Sequence, residues 1–404
     1  MAKEGTNQFK TGGLSVKKLL ELVPQELIDD LAREFQVDKW VKKLKANYLF
    51  KLILFSILNS ERLSLRVMES NYEDPLFRAL APAIEDEVVH TGIRDRLINV
   101  KSIFFQKLYE AVYKRARELY GGPRLEGYHI RKYDSTMIAT FSHLLEGMKV
   151  GNTKLGKTQV KLTTEFSDDF LIRMDFYKDQ AHLSEETALK EVIQKVPKEK
   201  EDIRVFDKGL KSRDSFESFE DEDILFVTRL SENPRYELLR PHSFDDGYQD
   251  NEEIEFIQDS IVRLYKSGQK ITEKEFRLIQ YHVKGTDKML FFGTNVLDIP
   301  AASIAYIYKK RWDIEVLFRF MKQEMNLTHF VCNHTNAIQV MLYSTMIASM
   351  LVLIYKKENG IKSYKKAKIQ FFKELLYVIL LEVLENPDDL NRLKSTLKRF
   401  VQLE

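Results

Sequence analysis

The segment YHIRKYDSTMIATF, residues 128–141, reads as a β-strand and opens a change of period along the chain. VKLTTEF (160–166), then Ser167, Asp168 and Asp169, then FLIRMDFY (170–177) reads as a hairpin. SEETALKEVIQKV (184–196) follows as a helix, DIRVFD (202–207) as a strand, LKSRDSFESF (210–219) as a short helix and DILFVTRL (223–230) as a strand. Three strands and then alternating helices and strands describe a mixed α/β sheet.

Before this segment the pattern is helical: KKLLELVPQELIDDLAREF, ANYLFKLILFSILNS and SIFFQKLYEAVYKRARELYG space apolar residues three and four apart. Gly121, Gly122 and Pro123 end the last of these helices and mark a domain boundary. Residues 91–120 hold seven Lys or Arg against three acids, and HTGIRDRL (90–97) has the form of a turn between helices. A DNA-reading helical module and an ordinary solvated helix face both fit it. After residue 230, EEIEFIQ, SIVRLYK and EFRLIQYHVKG read as strands of a β-rich insertion. An apolar helix begins after Pro300, with further helices from Asn336 onward. The uncharged run 338–355 is interrupted by Gln339, Tyr343, Ser344, Thr345 and Ser349, and is expected to be a buried core helix rather than a membrane span.

With 404 residues, two or three domains are expected. Apolar residues at 44% and charged residues at 31% describe a folded, globular chain. The 63 basic and 61 acidic residues nearly cancel, so the overall charge does not announce a nucleic-acid binder and only its distribution can. Cys332 is the one cysteine, which excludes an internal disulfide and a cysteine-based zinc site and suits a reducing compartment. MAKEGTNQFKTGG has no apolar stretch after its lysine and does not read as a secretory signal, so a cytoplasmic location is expected.

The chemistry concentrates in YKKRWDIEVLFRFMK, residues 308–322. At about 100° per residue, Tyr308, Arg311, Glu315 and Lys322 fall within about 60° of one another on a helix. Apolar residues fill most of the remaining circumference, which suits a polar stripe lining a cleft. A surface stripe with an Arg311–Glu315 ion pair fits the same geometry.

The spacing Tyr308-x2-Arg311-x3-Glu315-x6-Lys322 resembles the Tyr-Arg-Glu-Lys signature of bacterial cut-and-paste transposases of the insertion-sequence-four family. Trp312, Ile314 and the upstream Gly293-Thr294-Asn295 are similar to that family as well. The likeness runs from about residue 128 to 349. It implies a ribonuclease H-like core with a first catalytic aspartate on the opening strand, matched by Asp134 in KYDST, and a second at the end of the fourth strand, matched by Asp207 in VFDKG. Either aspartate alone also reads as a turn former at a strand end. Together with Glu315 they imply a three-carboxylate site for two Mg2+ ions, with Mn2+ able to substitute, because hard cations prefer oxygen ligands. Histidine and cysteine would favour softer metals.

The same resemblance implies that Tyr308, Arg311 and Lys322 contact DNA phosphates, Arg311 bidentately and Lys322 as a point charge. Trp312 is expected in the core of its apolar helix, with stacking on a displaced base as the alternative. Lys208 stands where the family often has arginine, so a forked contact there is lost. Lys154 and Lys157 belong to KVGNTKLGKTQVK (149–161), with four lysines and no acid, and KKENGIKSYKKAK (356–368) has six lysines and one glutamate. Both are candidate DNA contacts or solvated faces. The insertion resembles one that steadies a flipped base in the family, but RYELLRPHSFDDGYQDNEEIEFIQD carries eight acids and two arginines, a poor phosphate surface. Tyr236, Phe244 and Tyr248 are its candidate aromatic wedges, or ordinary strand residues.

The expected organisation is therefore a helical N-terminal domain (1–122) for DNA-end binding and a ribonuclease H-like core in two parts (123–230 and 291–355). The β-rich insertion (231–290) divides the core, and C-terminal helices (356–404) follow for dimerisation or DNA contact. Partners implied are the element's terminal inverted repeats, target DNA and a second copy of the chain, with no membrane. The chain would act in the bacterial cytoplasm, at the nucleoid. A structure-selective nuclease of the same fold, and a catalytically silent regulator derived from a transposase, are the alternatives. The first has no need of the Tyr-Arg-Lys accompaniment, and the second tolerates loss of the acids.

Overall fold

The computed structural model describes residues 13–81, 87–121, 124–139, 148–149, 158–167, 170–177, 179–195, 201–242, 253–328 and 330–401. The chain divides into two compact units, Met1–Gly121 with Arg319–Glu404, and Gly122–Phe318.

The first unit is helical. It contains α1 (Val16–Leu20), α2 (Gln25–Glu34), α3 (Ala46–Asn59), α4 (Leu65–Glu73), α5 (Pro75–Leu80), α6 (His90–Asn99) and α7 (Ser102–Tyr120). The second unit begins with β1 (His129–Ala139), β2 (Met148–Lys149), β3 (Thr158–Ser167) and β4 (Phe170–Tyr177). Next come α8 (Glu185–Lys195), β5 (Asp202–Phe206), α9 (Arg213–Asp221) and β6 (Leu225–Arg229). It continues through β7 (Tyr236–Pro241), β8 (Ile254–Leu264), β9 (Phe276–Val283), β10 (Met289–Thr294) and α10 (Ala301–Lys309). The helix α11 (Trp312–Glu324) runs across the division, and α12 (Thr335–Glu358), α13 (Tyr364–Glu385) and α14 (Pro387–Phe400) complete the helical unit.

In the helical unit α12 is the core helix. It is long and apolar enough to cross a membrane, and 83% of its apolar window is buried within the protein. It packs against α3, α6, α7 and α13. Asn336, in its first turn, donates to the carbonyls of Leu97, Ile98 and Val100, which would otherwise be left open at the end of α6. Residues 319–355 group with this helical unit, where the apolar surface of α12 is met on several sides by helices.

In the second unit all ten strands join one sheet, in the order β2-β3-β1-β5-β6-β10-β9-β8-β7, with β4 also paired to β3. β1 and β3 are antiparallel, and so are β3 and β4, whereas β5 runs parallel to β1 and β6 parallel to β5. This is the ribonuclease H-like arrangement, a mixed α/β sheet flanked in sequence by helices at both ends. The β-rich insertion extends that sheet antiparallel from β6, through β10.

The central strands β5 and β6 are covered on both faces, and all five residues of β5 are buried, the charged Asp202 and Arg204 included. One face packs Tyr133, Phe206 and Phe226 against α8 and α9 through Leu189, Val192, Phe216 and Phe219. The other packs Ile203, Val205 and Val227 against α10 through Ile304 and Ile307. Charge is buried in the first layer too: Arg131 bonds Glu165 and Asp202, each at 2.6 Å, and so ties β3, β1 and β5 together.

Gly293-Thr294-Asn295 has a structural task. Thr294 donates to the Phe226 carbonyl at 2.5 Å, and Asn295 accepts from Phe226 N while donating to the Ile224 carbonyl. The approach to α10 is fixed by Arg277, whose fully buried guanidinium grips Asp259 and donates to the carbonyls of Val296 and Ile299. Removing one partner of a buried pair strands the other charge. Arg277→Ala is expected to destabilise the protein by about 3–5 kcal/mol, measured by urea unfolding.

Candidate active site

Two parallel strands bring two aspartates together. His129 pairs with Asp202 and Lys132 with Val205, and that register, continued by two residues, sets Asp134 of β1 opposite Asp207, the residue after β5. Residues in register on neighbouring parallel strands point to the same face. In open α/β sheets this carboxyl end of the central strands is where ligands bind.

The third acid arrives on α11. Lys132, two residues before Asp134, reaches Asp313, two residues before Glu315, with a 3.0 Å ion pair. Arg311 lies between the acids: its Nη1 is 3.8 Å from Asp134 Oδ2, and its Nη2 bonds Glu315 Oε1. The Arg311 side chain is 12% exposed and that of Asp134 13%, so the contact is largely sheltered from water. Tyr308 lies against the guanidinium, whose carbon is 5.7 Å from the ring centroid, and packs on Phe292.

Tyr308 and Glu315 are not on one continuous helix. The chain breaks between α10 and α11, where Arg311 N bonds the Tyr308 carbonyl and Ile314 N the Arg311 carbonyl, both three residues back. The stripe expected from regular helix geometry is thus formed by two helix ends and a turn. Lys322, two turns beyond Glu315 on α11, is half-buried.

The electrostatics follow from crowding. Burial pushes the Asp134 carboxyl up to about 7; Arg311 and the Ser135 N–H oppose the shift, and the Asp207 and Glu185 charges add to it. Burial also raises Tyr308, keeping its hydroxyl protonated. For Arg311, burial alone would lower its proton affinity, but the bond to Glu315 and the charges of Asp134 and Glu315 raise it.

An oxygen-only set of carboxylates suits a hard divalent cation, which would offset the burial that chiefly lifts Asp134 and the charges of Asp207 and Glu185 that add to it. Among the described residues, no three acidic, histidine or cysteine side chains stand close enough to hold an ion as arranged. The guanidinium of Arg311 takes that position between Asp134 and Glu315.

The remaining candidates divide. Lys208 follows Asp207 and is exposed. Trp312 is 53% exposed, which corrects its expected place in the core: the break before α11 turns its ring outward. Tyr236 packs at the edge of the first core layer, as an ordinary strand residue. Lys154, Lys157, Phe244 and Tyr248 lie outside the described residues. In the lysine-rich segment 356–368, Lys368 is buried and donates to the carbonyls of Ser60 and Glu324, so it is a structural residue rather than a DNA contact. Burial brings its ammonium down to about 8.

Glu185, which the sequence reading passed over, belongs with these acids. A β-carbon at Gly209 would meet Glu185 Oε2 at 2.6 Å and Asp207 Oδ1 at 2.7 Å. Gly209 N also donates to Asp207 Oδ1 at 2.7 Å. Gly209→Ala is therefore expected to displace both carboxylates. DNA cleavage should fall by about tenfold or more, the usual cost of disturbing a cation site's supporting groups, with little change in melting temperature.

A ribonuclease H-like sheet with Asp134 within β1 set level with Asp207 just past the end of β5 defines the class of protein. The chain belongs to the transposase DDE domain family, which matches residues 127–351. It is 31% identical over 157 residues to a putative transposase, y4zB, of Sinorhizobium fredii, a match covering 39% of this chain and 43% of that protein. It is 24% identical over 230 residues to a putative transposase for insertion sequence element IS4SA of Synechocystis, covering 56% of this chain and 61% of the relative. It is also 24% identical over 223 residues to a probable transposase for insertion sequence element IS5377 of Geobacillus stearothermophilus, covering 55% of each. The chain thus spans about half the length of the curated relatives it matches. A solved piggyBac transposase synaptic complex with hairpin DNA aligns at 11% identity and a TM-score of 0.48, over 95% of this chain and 84% of that one.

Proposed function

We propose that the chain is a DNA transposase that cuts at the terminal inverted repeats of its own insertion sequence and joins the freed ends to target DNA. Asp134, Asp207 and Glu315 would hold two divalent cations, Mg2+ or, in its place, Mn2+. The observation that carries this reading is the Arg311 guanidinium set between Asp134 and Glu315 at the strand end where Asp207 follows β5. The names of the relatives support DNA of an insertion sequence as the substrate. Bound cations supply activation of the attacking oxygen and stabilisation of the leaving one.

The side chains around the acids have separate tasks. Arg311 exchanges its carboxylate partners for a phosphate near the element's end and grips it bidentately. That exchange frees Glu315 for cation binding. Tyr308, kept protonated, donates a hydrogen bond to the same strand, and Lys322 adds a point charge two turns further along α11. Lys208, exposed beside Asp207, contributes a simple cationic contact, and Trp312 offers a half-exposed ring to an unstacked base. Lys154 and Lys157 extend the basic footprint along the strand. Two ends must be joined, so two copies of the chain act together, in the cytoplasm at the nucleoid.

The test is incubation of purified protein with paired element ends and Mg2+. Strand-transfer products support the proposal. Cleavage without transfer would make the chain a structure-selective nuclease, and end binding without cleavage a silent regulator; either outcome overturns it.

A further inference from the structure

The loop between α2 and α3 in the helical unit, QVDKWVKKLK (36–45), holds an aromatic ring in solvent. Trp40 is 90% exposed, more than any other large apolar side chain among the described residues. Its backbone is left-handed, with φ at 67°, and so are those of Gln36 at 51° and Leu44 at 50°. Left-handed backbone disfavours a bulky side chain, and an exposed indole forgoes burial, so Trp40 costs the fold twice. Asparagine or glycine would suit the turn better.

The loop is nevertheless braced. Arg96 of α6, whose side chain is 10% exposed, donates to the Leu44 carbonyl at 2.9 Å, the Val37 carbonyl at 3.0 Å and Asp38 Oδ1 at 2.8 Å. Asp38 Oδ1 also accepts from Ala46 N, and Lys101 donates to the Phe35 carbonyl. The one acid of the loop is thereby neutralised. Its four lysines are exposed: Lys39, whose Nζ is 5.8 Å from the Trp40 ring centroid, Lys42, Lys43, which also reaches the Glu87 carbonyl, and Lys45.

An aromatic ring among lysines on a braced loop suits a polymer that offers phosphates and flat bases together. A bilayer surface would require more apolar area than one ring, and here Val41 is half-buried and Leu44 buried. We propose that residues 39–45 form a DNA-binding loop of the helical unit, in which Lys39, Lys42 and Lys45 hold backbone phosphates and Trp40 stacks on an unstacked base. The proposal rests on the reading of the chain as a DNA transposase.

Binding of the full chain to a DNA duplex with a single-stranded oligo-dT overhang, followed by fluorescence anisotropy across a salt series, tests this. Trp40→Asn, which suits the left-handed turn, should melt no lower than the parent, bind on the order of tenfold more weakly and keep the parental salt slope. Trp40→Tyr, which keeps a stacking ring, should recover most of the affinity. Lys39→Gln and Lys42→Gln should each lower the slope of log affinity against log salt by about one. In Trp312→Phe, where Trp40 is the one tryptophan left, the same DNA should quench the indole emission. If Trp40→Asn and the lysine variants keep parental affinity and slope while Arg311→Ala binds more weakly, the loop is outside the interface and the proposal falls alone. If Trp40 emission responds to vesicles of anionic phospholipid and not to the DNA, the loop is a membrane contact and the proposal is overturned. A parent chain that binds no DNA removes the transposase reading as well.

Discussion

Asparagine at Asp134, Asp207 or Glu315 is expected to lower the rate of cleavage at an element end by roughly a thousandfold or more. A cation site supplies several kcal/mol of transition-state stabilisation, and about 1.4 kcal/mol is tenfold in rate. End binding should survive, because in the proposed mechanism these acids hold cations rather than phosphates. Asp134→Asn makes the sharpest case. Burial is the main cost to its carboxylate, the charges of Asp207 and Glu185 add to that cost and Arg311 offsets it, so the uncharged amide relieves a penalty in the cation-free protein. The variant should therefore melt no lower than the parent in chelator while losing cleavage, a combination that a structural role for Asp134 does not produce. Single-turnover cleavage beside thermal unfolding measures both. Loss of folding together with activity would count against the assignment.

The three acids of the proposed site stand out in the sequence by their place in it. Asp207 closes a strand-like run, Asp134 lies within one, and Glu315 sits at a fixed short spacing from Arg311. Glu185 is not legible in the same way. In SEET it is one of two first-turn acids of a helix, and its approach to Asp207 depends on how α8 returns across the end of β5, which no local pattern encodes. The break before α11 is hidden for a different reason: arithmetic at 100° per residue assumes unbroken four-residue hydrogen bonds, and at Arg311 and Ile314 the bonds close over three. That same break exposes Trp312, which a regular apolar helix would have buried. Strand content between residues 231 and 290 is readable from composition, but the pairing of β10 with β6, which fuses those strands to the central sheet, is a long-range choice of partner.

In the proposed mechanism Arg311 ties end recognition to the cation site, and its removal is expected to produce two separable losses. The guanidinium is the positive charge in direct contact with Asp134 and Glu315, so Arg311→Ala should lower end affinity and also leave those carboxylates facing one another uncompensated. If Arg311 grips a terminal phosphate, fewer condensed counterions are released on binding by the variant. The slope of log affinity against log salt should then fall by about one. Arg311→Lys keeps the charge and should retain most of that slope. Lysine lacks the planar fork that reaches Asp134 and Glu315 together, however, and it cannot hold a phosphate at two oxygens. A scissile phosphate displaced by about an ångström costs on the order of a hundredfold in rate, so cleavage by Arg311→Lys should fall further than its binding. Glu315→Gln separates the two functions from the other side. It removes the carboxylate that competes for Arg311, so end affinity and salt slope should hold or rise while cleavage is lost. Salt-titrated binding to a short end duplex, run beside single-turnover cleavage, distinguishes these outcomes. If Arg311→Ala leaves affinity, salt slope and rate unchanged, the Arg311–Glu315 contact is an ordinary ion pair at a helix start, and phosphate recognition lies elsewhere on the chain.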